Sequence, residues 1–230
     1  MSRLGVAIMA GGAGVRLRTV TGSLPKALAP FDGGTLLSHQ LARCDALGAD
    51  VTVVLASRGR GDGHILDALA DEAVPATVLV EPSPLGTAGG LHRLPGGVDR
   101  WLVVNVDHIS DIDRAALVDQ ASGPCTAVTT DVDATIDEGV VTLDARQGGP
   151  FLASWRERPT VRVTVTTGMY VFQDSVFRTI LDGTSRDMPD LVRSLMPSGV
   201  RAWHHTGHWF DAGTPSRIER AERWWRSRRA

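Results

Sequence analysis

The sequence is short of cysteine, of net charge and of long apolar runs, and each shortage removes a class of protein. Two cysteines, Cys44 and Cys125, stand far apart in the 230 residues. They form neither a disulfide framework nor a metal-ligand cluster, and read as reduced core thiols. The formal net charge is −2. No broad positive field is available for nucleic acid, so any phosphate has to be met by local groups. The apolar start of the chain, Leu4 to Met9, gives way to glycines. It is too short for a signal-peptide core or a membrane span, and no other segment reaches span length. The expectation is a cytoplasmic protein with no nucleic-acid or membrane partner. No internal repeat and no low-complexity linker interrupts the chain.

What is present is of ordinary globular composition, with 43% hydrophobic and 22% charged residues. That suffices for one α/β domain with a full core. Short apolar runs at 4–9, 51–56, 77–80, 101–106 and 126–130 predict strands. Helices are predicted through Leu36, Leu37, Leu41 and Leu47, with Gly48 as a stop, and over 65–73 and 112–120. This alternation predicts a largely parallel sheet with helices on both faces. The second half changes texture. Residues 139–143 and 162–167 read as short strands with polar alternation, 169–172 as a further strand, and 175–181, 188–196 and 218–225 as helices. The predicted organisation is a single domain over 1–230, in which 131–230 adds an antiparallel part to the doubly wound 1–130.

In such sheets ligands bind beyond the carboxyl ends of the strands, and two chemistry-bearing segments fall there. Ala10-Gly11-Gly12-Ala13-Gly14-Val15-Arg16 follows the first strand. Its glycines let the backbone approach a ligand, and its N–H groups can cradle phosphate oxygens. Arg16, and Lys26 in Leu24-Pro25-Lys26-Ala27-Leu28, add positive charge. The third glycine of a dinucleotide fingerprint is missing, as is a Walker Gly-Lys-Ser/Thr. A dinucleotide-binding oxidoreductase would also leave Pro25-Lys26 and the late Asp211 without a role. The second segment, Asn105 and Asp107, ends the strand at 101–106.

These segments resemble the signature of sugar nucleotidyltransferases, the group containing glucose-1-phosphate thymidylyl-, mannose-1-phosphate guanylyl- and N-acetylmuramate-1-phosphate uridylyltransferases. GGAGVRL followed by LPKALAP is similar to G-G-x-G-[ST]-R-L with a later P-K, except that Val15 stands where Thr or Ser is usual. Glu81-Pro82-Ser83-Pro84-Leu85-Gly86-Thr87-Ala88-Gly89 resembles the base-binding stretch. Asp107 matches a strand-ending metal acid, with Val106 in place of the usual Gly. Trp209-Phe210-Asp211-Ala212-Gly213-Thr214-Pro215 resembles W-x-D-x-G-T-P. Asp137-Glu138-Gly139-Val140-Val141, Trp155-Arg156-Glu157-Arg158-Pro159 and Thr167-Gly168-Met169-Tyr170-Val171-Phe172 resemble the sugar-side segments, with Arg158 where Lys is usual and Thr167 where Ala is usual.

The resemblance implies a Rossmann-like, three-layer, glycosyltransferase-A-like fold. Its activity is attack of a sugar 1-phosphate on the α-phosphorus of a nucleoside triphosphate. Ala10, Gly11, Gly12, Gly14, Arg16, Glu81, Gly86 and Thr87 are then the nucleotide side. Lys26, Asn105, Gly139, Glu157, Arg158 and Gly168 are the sugar-phosphate side. Asp107 and Asp211 are the ligands of a Mg²⁺ cofactor, and Arg16, Lys26 and Asp107 the catalytic set. Glu81 is acceptor-only when ionised and suits the donors of guanine, so GTP is favoured over UTP, dTTP or CTP. Longer members carry a C-terminal β-helix or acyltransferase domain, and the expectation for 230 residues is the transferase core alone.

Plainer readings stand beside these. Glu81 can end a strand at the surface, and Asp211 can cap the last helix. His204, His205 and His208 cluster near Asp211 without the ordered spacing of a zinc site. Trp224, Trp225, Arg226, Arg228 and Arg229 read as a solvated helix with one apolar face, or as a homo-oligomer contact. A nucleotide-sugar-binding regulator without catalysis is the reading that Val15, Val106 and Arg158 favour. The intact Arg16, Lys26, Asp107 and Asp211 argue against it.

Overall fold

The computed structural model describes residues 2–12, 14–59, 61–70, 72, 74–146, 148–181 and 183–228. Ala13 of the glycine loop, Ala73 at the end of a predicted helix and Arg229 of the basic tail lie outside the described residues. The first part of the chain runs β1 (Leu4–Met9), α1 (Arg18–Thr21), β2 (Pro30–Phe31), β3 (Gly34–Thr35), α2 (Leu36–Asp45) and β4 (Val51–Ser57). It continues through α3 (Asp62–Ala70), β5 (Thr77–Glu81), β6 (Arg100–Asn105), β7 (His108–Ser110), α4 (Arg114–Gln120) and β8 (Cys125–Thr135). Then come β9 (Val140–Arg146), β10 (Gly149–Arg156), β11 (Thr160–Gln173), α5 (Asp174–Phe177) and α6 (Met188–Leu195). The chain closes with β12 (Val200–His205), β13 (Trp209–Asp211) and α7 (Pro215–Ser227).

Seven strands form the central sheet in the order β12-β8-β11-β6-β1-β4-β5. Strands β5, β4, β1 and β6 are mutually parallel, β11 runs antiparallel between β6 and β8, and β12 is parallel to β8. The apolar runs of β1, β4 and β6 follow from burial on both faces. Alternate side chains enter different cores. Val6 and Ile8 of β1, with Leu102 and Val104 of β6, join the cluster that includes Leu36, Leu37 and Leu41 of α2 and Ile218 of α7. Ala7, Trp101 and Val103 join the opposite cluster, with Phe177 of α5 and Leu191 of α6.

Register sets the position of the site. Met9 pairs with both Leu55 and Asn105, and Ser57 pairs with Glu81. The carboxyl ends of β1, β4, β5 and β6 therefore lie in one row.

Several predicted boundaries move. The strands predicted at 162–167 and 169–172 are one strand, β11, whose register shifts between Thr166 and Tyr170. Gly168 sits at this shift with φ 81°, and the bulge explains why the pattern breaks there. The predicted helix at 175–181 is a single turn, α5. Helix α4 begins at Arg114 because Asp113 accepts from the Ala116 N–H at 2.9 Å and caps it. Helix α7 begins three residues earlier than the predicted 218, with Pro215 in its first turn. Strands β10, β12 and β13 lie in segments with no predicted strand.

Candidate active site

The loop after β1 is fixed at both ends. The Ala10 N–H donates to the Leu55 carbonyl at 2.8 Å, and the fully buried Leu17 anchors a 3₁₀ turn over Val15–Leu17. Ala27 and Ala29 are equally buried, which pins the turn over Lys26–Leu28. The Lys26 side chain projects from that turn toward the end of β6. Its Nζ lies 2.8 Å from Asp107 Oδ2, with both side chains mostly shielded from solvent.

Asp107 and Asp211 meet because the two-stranded sheet of β7 and β13 places Asp211 opposite His108. The Ala212 N–H donates to the Asp107 carbonyl at 2.9 Å. Asp211 accepts from Arg217 Nη1 at 2.6 Å and from the Gly213 N–H at 3.1 Å. Gly213 lies in the middle. A Cβ there would fall 2.8 Å from Asp211 Oδ1, 3.0 Å from Arg16 Nη2 and 3.4 Å from Asp107 Oδ2. Two acids and a guanidinium from three remote segments thus surround one glycine.

These three residues line a cavity of about 400 Å³. Lys26, Thr87, Asn105, Gly168, Tyr170 and Trp209 form much of the remaining wall. A second cavity, about 270 Å³, lies over the row of strand ends. Gly11, Gly12, Ser57, Glu81 and Gly86 line it, with Lys26, Thr87 and Asn105 shared between the two. The site is one cleft with two lobes, and Lys26 stands at their junction. The 85–88 segment is docked on α6: the Thr87 N–H donates to Asp187 Oδ1 at 3.0 Å, and its hydroxyl accepts from the Met188 N–H at 2.7 Å.

Glu81 ends β5 as a buried acid, not a surface one. Burial pushes its carboxyl pKa up, against hydrogen bonds from the Ser57 hydroxyl at 3.1 Å and from the backbone at Leu85 and Gly90, and against the charge of Arg93. His108 is fully buried and neutral. Burial, reinforced by the charge of Arg114, holds its pKa down at about 3. Its Nδ1–H donates to the Thr167 carbonyl at 2.9 Å and its Nε2 accepts from the Ser110 hydroxyl at 2.9 Å, which ties β7 to β11.

Of the residues singled out in the sequence, the cleft brings together Gly11, Gly12, Arg16, Lys26, Glu81, Gly86, Thr87, Asn105, Asp107, Gly168 and Asp211. Ala10 is buried just behind the loop, and Gly14 (φ 58°) packs against Lys26. Gly139, Glu157 and Arg158 do not line either lobe. They flank the β9–β10 ribbon, which among the described residues pairs only with itself. There Gly139 packs against the Trp155 indole, Glu157 accepts from Trp155 Nε1 at 2.9 Å, and Arg158 pairs with the exposed Asp137 at 2.6 Å. The histidine cluster is dispersed over two acids. His205 and the His208 N–H converge on Asp111, and His204 lies beside Asp131. Among the described residues no three His, Cys, Asp or Glu side chains form a metal-binding group. Trp224 and Trp225 pack against the core as one apolar face of α7. Sequence reasoning missed Ser57, Thr166, Met188, Pro189 and Arg217. Thr166 alone carried a signal, in the polar alternation of β11.

The chain belongs to the nucleotidyl transferase family, whose model matches residues 6–226. Among curated relatives, the mannose-1-phosphate guanylyltransferase 1 of Arabidopsis thaliana is 29% identical over 222 residues. The mannose-1-phosphate guanylyltransferase of Mycobacterium tuberculosis is 28% identical over 225. In each case the match takes in 90% of this chain, and 61% and 60% of the relative, respectively. The chain thus spans about three-fifths of these relatives' length. The fold is shared with HddC of Yersinia pseudotuberculosis complexed with GMP-PN, at a TM-score of 0.72 and 18% identity, covering 98% of this chain and 100% of that one. A Bacillus anthracis structure named for glucose-1-phosphate thymidylyltransferase, in complex with a sucrose, aligns at a TM-score of 0.75 and 21% identity, covering 97% and 95% of the two chains. No helix among the described residues is long and apolar enough to cross a membrane.

Proposed function

We propose that this chain transfers a nucleotidyl group from a nucleoside triphosphate to a sugar 1-phosphate, forming a nucleotide sugar and releasing pyrophosphate. The observation that carries this reading is the convergence of Arg16, Asp107 and Asp211 around Gly213, with Lys26 at the junction of two lobes. Phosphoryl transfer asks a protein for position and charge rather than for a nucleophile. The lobe over Gly11, Gly12 and Glu81 takes the nucleotide, and the lobe walled by Asn105, Gly168 and Trp209 takes the sugar phosphate.

The donor set fits Mg²⁺. Two carboxylates of one cavity supply hard oxygens, and the open volume leaves room for water and phosphate oxygens, which this ion retains in preference to an all-protein cage. Asp107 and Asp211 would hold it, and when bound it would neutralise charge on the phosphate oxygens.

The sugar phosphate oxygen forms the new bond to the α-phosphorus as the bond to the bridging oxygen of the leaving pyrophosphate breaks. Arg16 neutralises the pyrophosphate and Lys26 the transferring group. Neither residue exchanges a proton. Glu81 stands at the inner end of the nucleotide lobe. As a carboxylate it accepts the two donors of a guanine edge, which favours GTP. The guanylyltransferase names of the relatives support the same preference.

The test is pyrophosphate release by the full chain with each of four nucleoside triphosphates, Mg²⁺ and a panel of sugar 1-phosphates. Release with GTP above the other three supports the reading. Absence of release with every pair overturns it.

A further inference from the structure

The segment carrying Asp107 has an unusual neighbour. Strand β7 pairs with β13, and among the described residues it has no second strand partner. Helix α2 fills that place with side chains. Gln40 Nε2 donates to the Val106 carbonyl at 3.3 Å and to the His108 carbonyl at 2.5 Å. Arg43 donates to the Ser110 carbonyl at 2.9 Å and to the Ile112 carbonyl at 2.8 Å. The four acceptors are alternate residues, the spacing at which an extended chain presents carbonyls along one edge. Gln40 and Arg43 are three apart and share a face of the helix.

Gln40 is itself oriented. Its Oε1 accepts from Arg114 Nη2 at 2.5 Å. Arg114 is buried; among the described residues its Nη1 donates only to Cys44 Sγ, at 3.2 Å, and its Nε has no hydrogen-bond partner. No carboxylate among the described residues forms an ion pair with it. A buried guanidinium in such surroundings depends on its one oxygen acceptor. That dependence turns the Gln40 oxygen toward Arg114 and its two N–H donors toward the carbonyls on either side of Asp107.

We propose that Gln40, oriented by Arg114, is a positioning residue for Asp107, and that Arg43 extends the same clamp to the 110–112 segment. This rests on the reading of Asp107 as a metal-binding carboxylate. The carbonyls of the residues on either side of Asp107 are held by Gln40, and the carbonyl of Asp107 itself by the Ala212 N–H. The carboxylate emerges between two fixed points, as a metal ligand requires.

The test is Mn²⁺ titration of the full chain, followed by the loss of the free-ion electron paramagnetic resonance signal, with thermal unfolding measured beside it. Gln40→Met removes the donors. Gln40→Glu keeps the shape and the acceptor for Arg114 and turns the two donors into an acceptor oxygen facing the same carbonyls. Each is expected to weaken Mn²⁺ binding by about 10- to 100-fold. Leu41→Ala, in the same helix and fully buried, is expected to lower the unfolding temperature at least as much and to keep affinity within about twofold, since it leaves all four carbonyls paired. Wild-type affinity in a folded Gln40 variant overturns the proposal, as does an equal loss in Leu41→Ala. If Gln40→Met does not fold, Gln40→Glu decides. A failure of the underlying reading looks different: the wild-type chain takes up no Mn²⁺, or Asp107→Asn binds as tightly as wild type, and both ideas then fall.

Discussion

Gly213→Ala isolates the geometry of the site from the stability of the fold. Gly213 is not in the left-handed region, so alanine is compatible with its backbone. The added Cβ would lie 2.8 Å from Asp211 Oδ1 and 3.0 Å from Arg16 Nη2. Restoring ordinary contact, about 3.4 Å, moves the carboxylate oxygen by roughly 0.5 Å and the guanidinium by a few tenths. Both are side-chain ends, so the shift is inexpensive for folding. Overpacking of about 1–3 kcal/mol is offset in part by the ~0.4–1 kcal/mol that Gly→Ala contributes by restricting the unfolded chain. The net change corresponds to a few degrees in Tm, at ~2–4 °C per kcal/mol for a chain of this size. Catalysis is less tolerant. A misplacement of ~1 Å costs about 100-fold, so half of that predicts a loss of roughly 10-fold in kcat/KM, or ~1.4 kcal/mol of barrier. The assay is pyrophosphate release beside a thermal melt. Gly63→Ala, where nothing lies within 4 Å of the added Cβ, is the control. Equal turnover in the two variants would show that the grouping around Gly213 is not what the reaction uses.

Lys26→Met is expected to lose about 10²–10³ in turnover, as expected for removing a charge aimed at the transferring group; a rate within tenfold of wild type would remove Lys26 from the step. Glu81→Gln is expected to lower kcat/KM for GTP by about 10- to 100-fold, the worth of a charge-assisted hydrogen bond of ~1.5–3 kcal/mol, with little change for UTP. Equal losses for both bases would place Glu81 outside base recognition. Stability has an acid limit set in part by His108, whose pKa falls from 6.5 to about 3 on burial. A depressed folded pKa means that its contribution is complete above about pH 6.5 and is lost as pH falls toward 3, at about 1.4 kcal/mol per pH unit. Denaturant melts between pH 7 and 4 read this slope. His108→Gln flattens it, and an unchanged slope would assign the acid sensitivity to other groups.

Part of this architecture was legible in the residues. Strands β1, β4 and β6 are buried on both faces, so their apolar runs are nearly continuous and their ends fall at the glycines and at Asp107. The elements that complete the cleft were less visible. Strands β7 and β13 have three residues each, too few to carry a period. Gln40 occupies a helix position whose pattern calls for an apolar residue, and its reason lies in carbonyls more than sixty residues away. Glu157 and Arg158 sit in a motif that reads clearly, yet they pair with Trp155 of β10 and with Asp137 before β9, and line neither lobe. A motif records residue types; the ribbon's direction depends on pairings that local sequence does not encode.

The charge arrangement accounts for how two acids stay close. Asp107 has Lys26 at 2.8 Å and Asp211 has Arg217 at 2.6 Å, so each carboxylate has its own cation from the chain. Two like charges left alone in a shielded cleft would repel; these partners offset that repulsion. The two cations differ in what they can do next. Arg217 lies at the solvent side of Asp211, does not line either lobe, and holds its acid from within the same helix–strand corner. Lys26 stands where the lobes join, on a flexible stem, and presents a point charge with rotatable donors. In the proposed reaction an arriving triphosphate competes with Asp107 for that ammonium and frees the carboxylate from it. Lys26→Arg therefore tests more than charge. A planar fork can stay locked on Asp107 bidentately, so the variant is expected to keep the folded structure and the positive charge yet lose most turnover. Full activity in Lys26→Arg would mean that no such hand-over takes place.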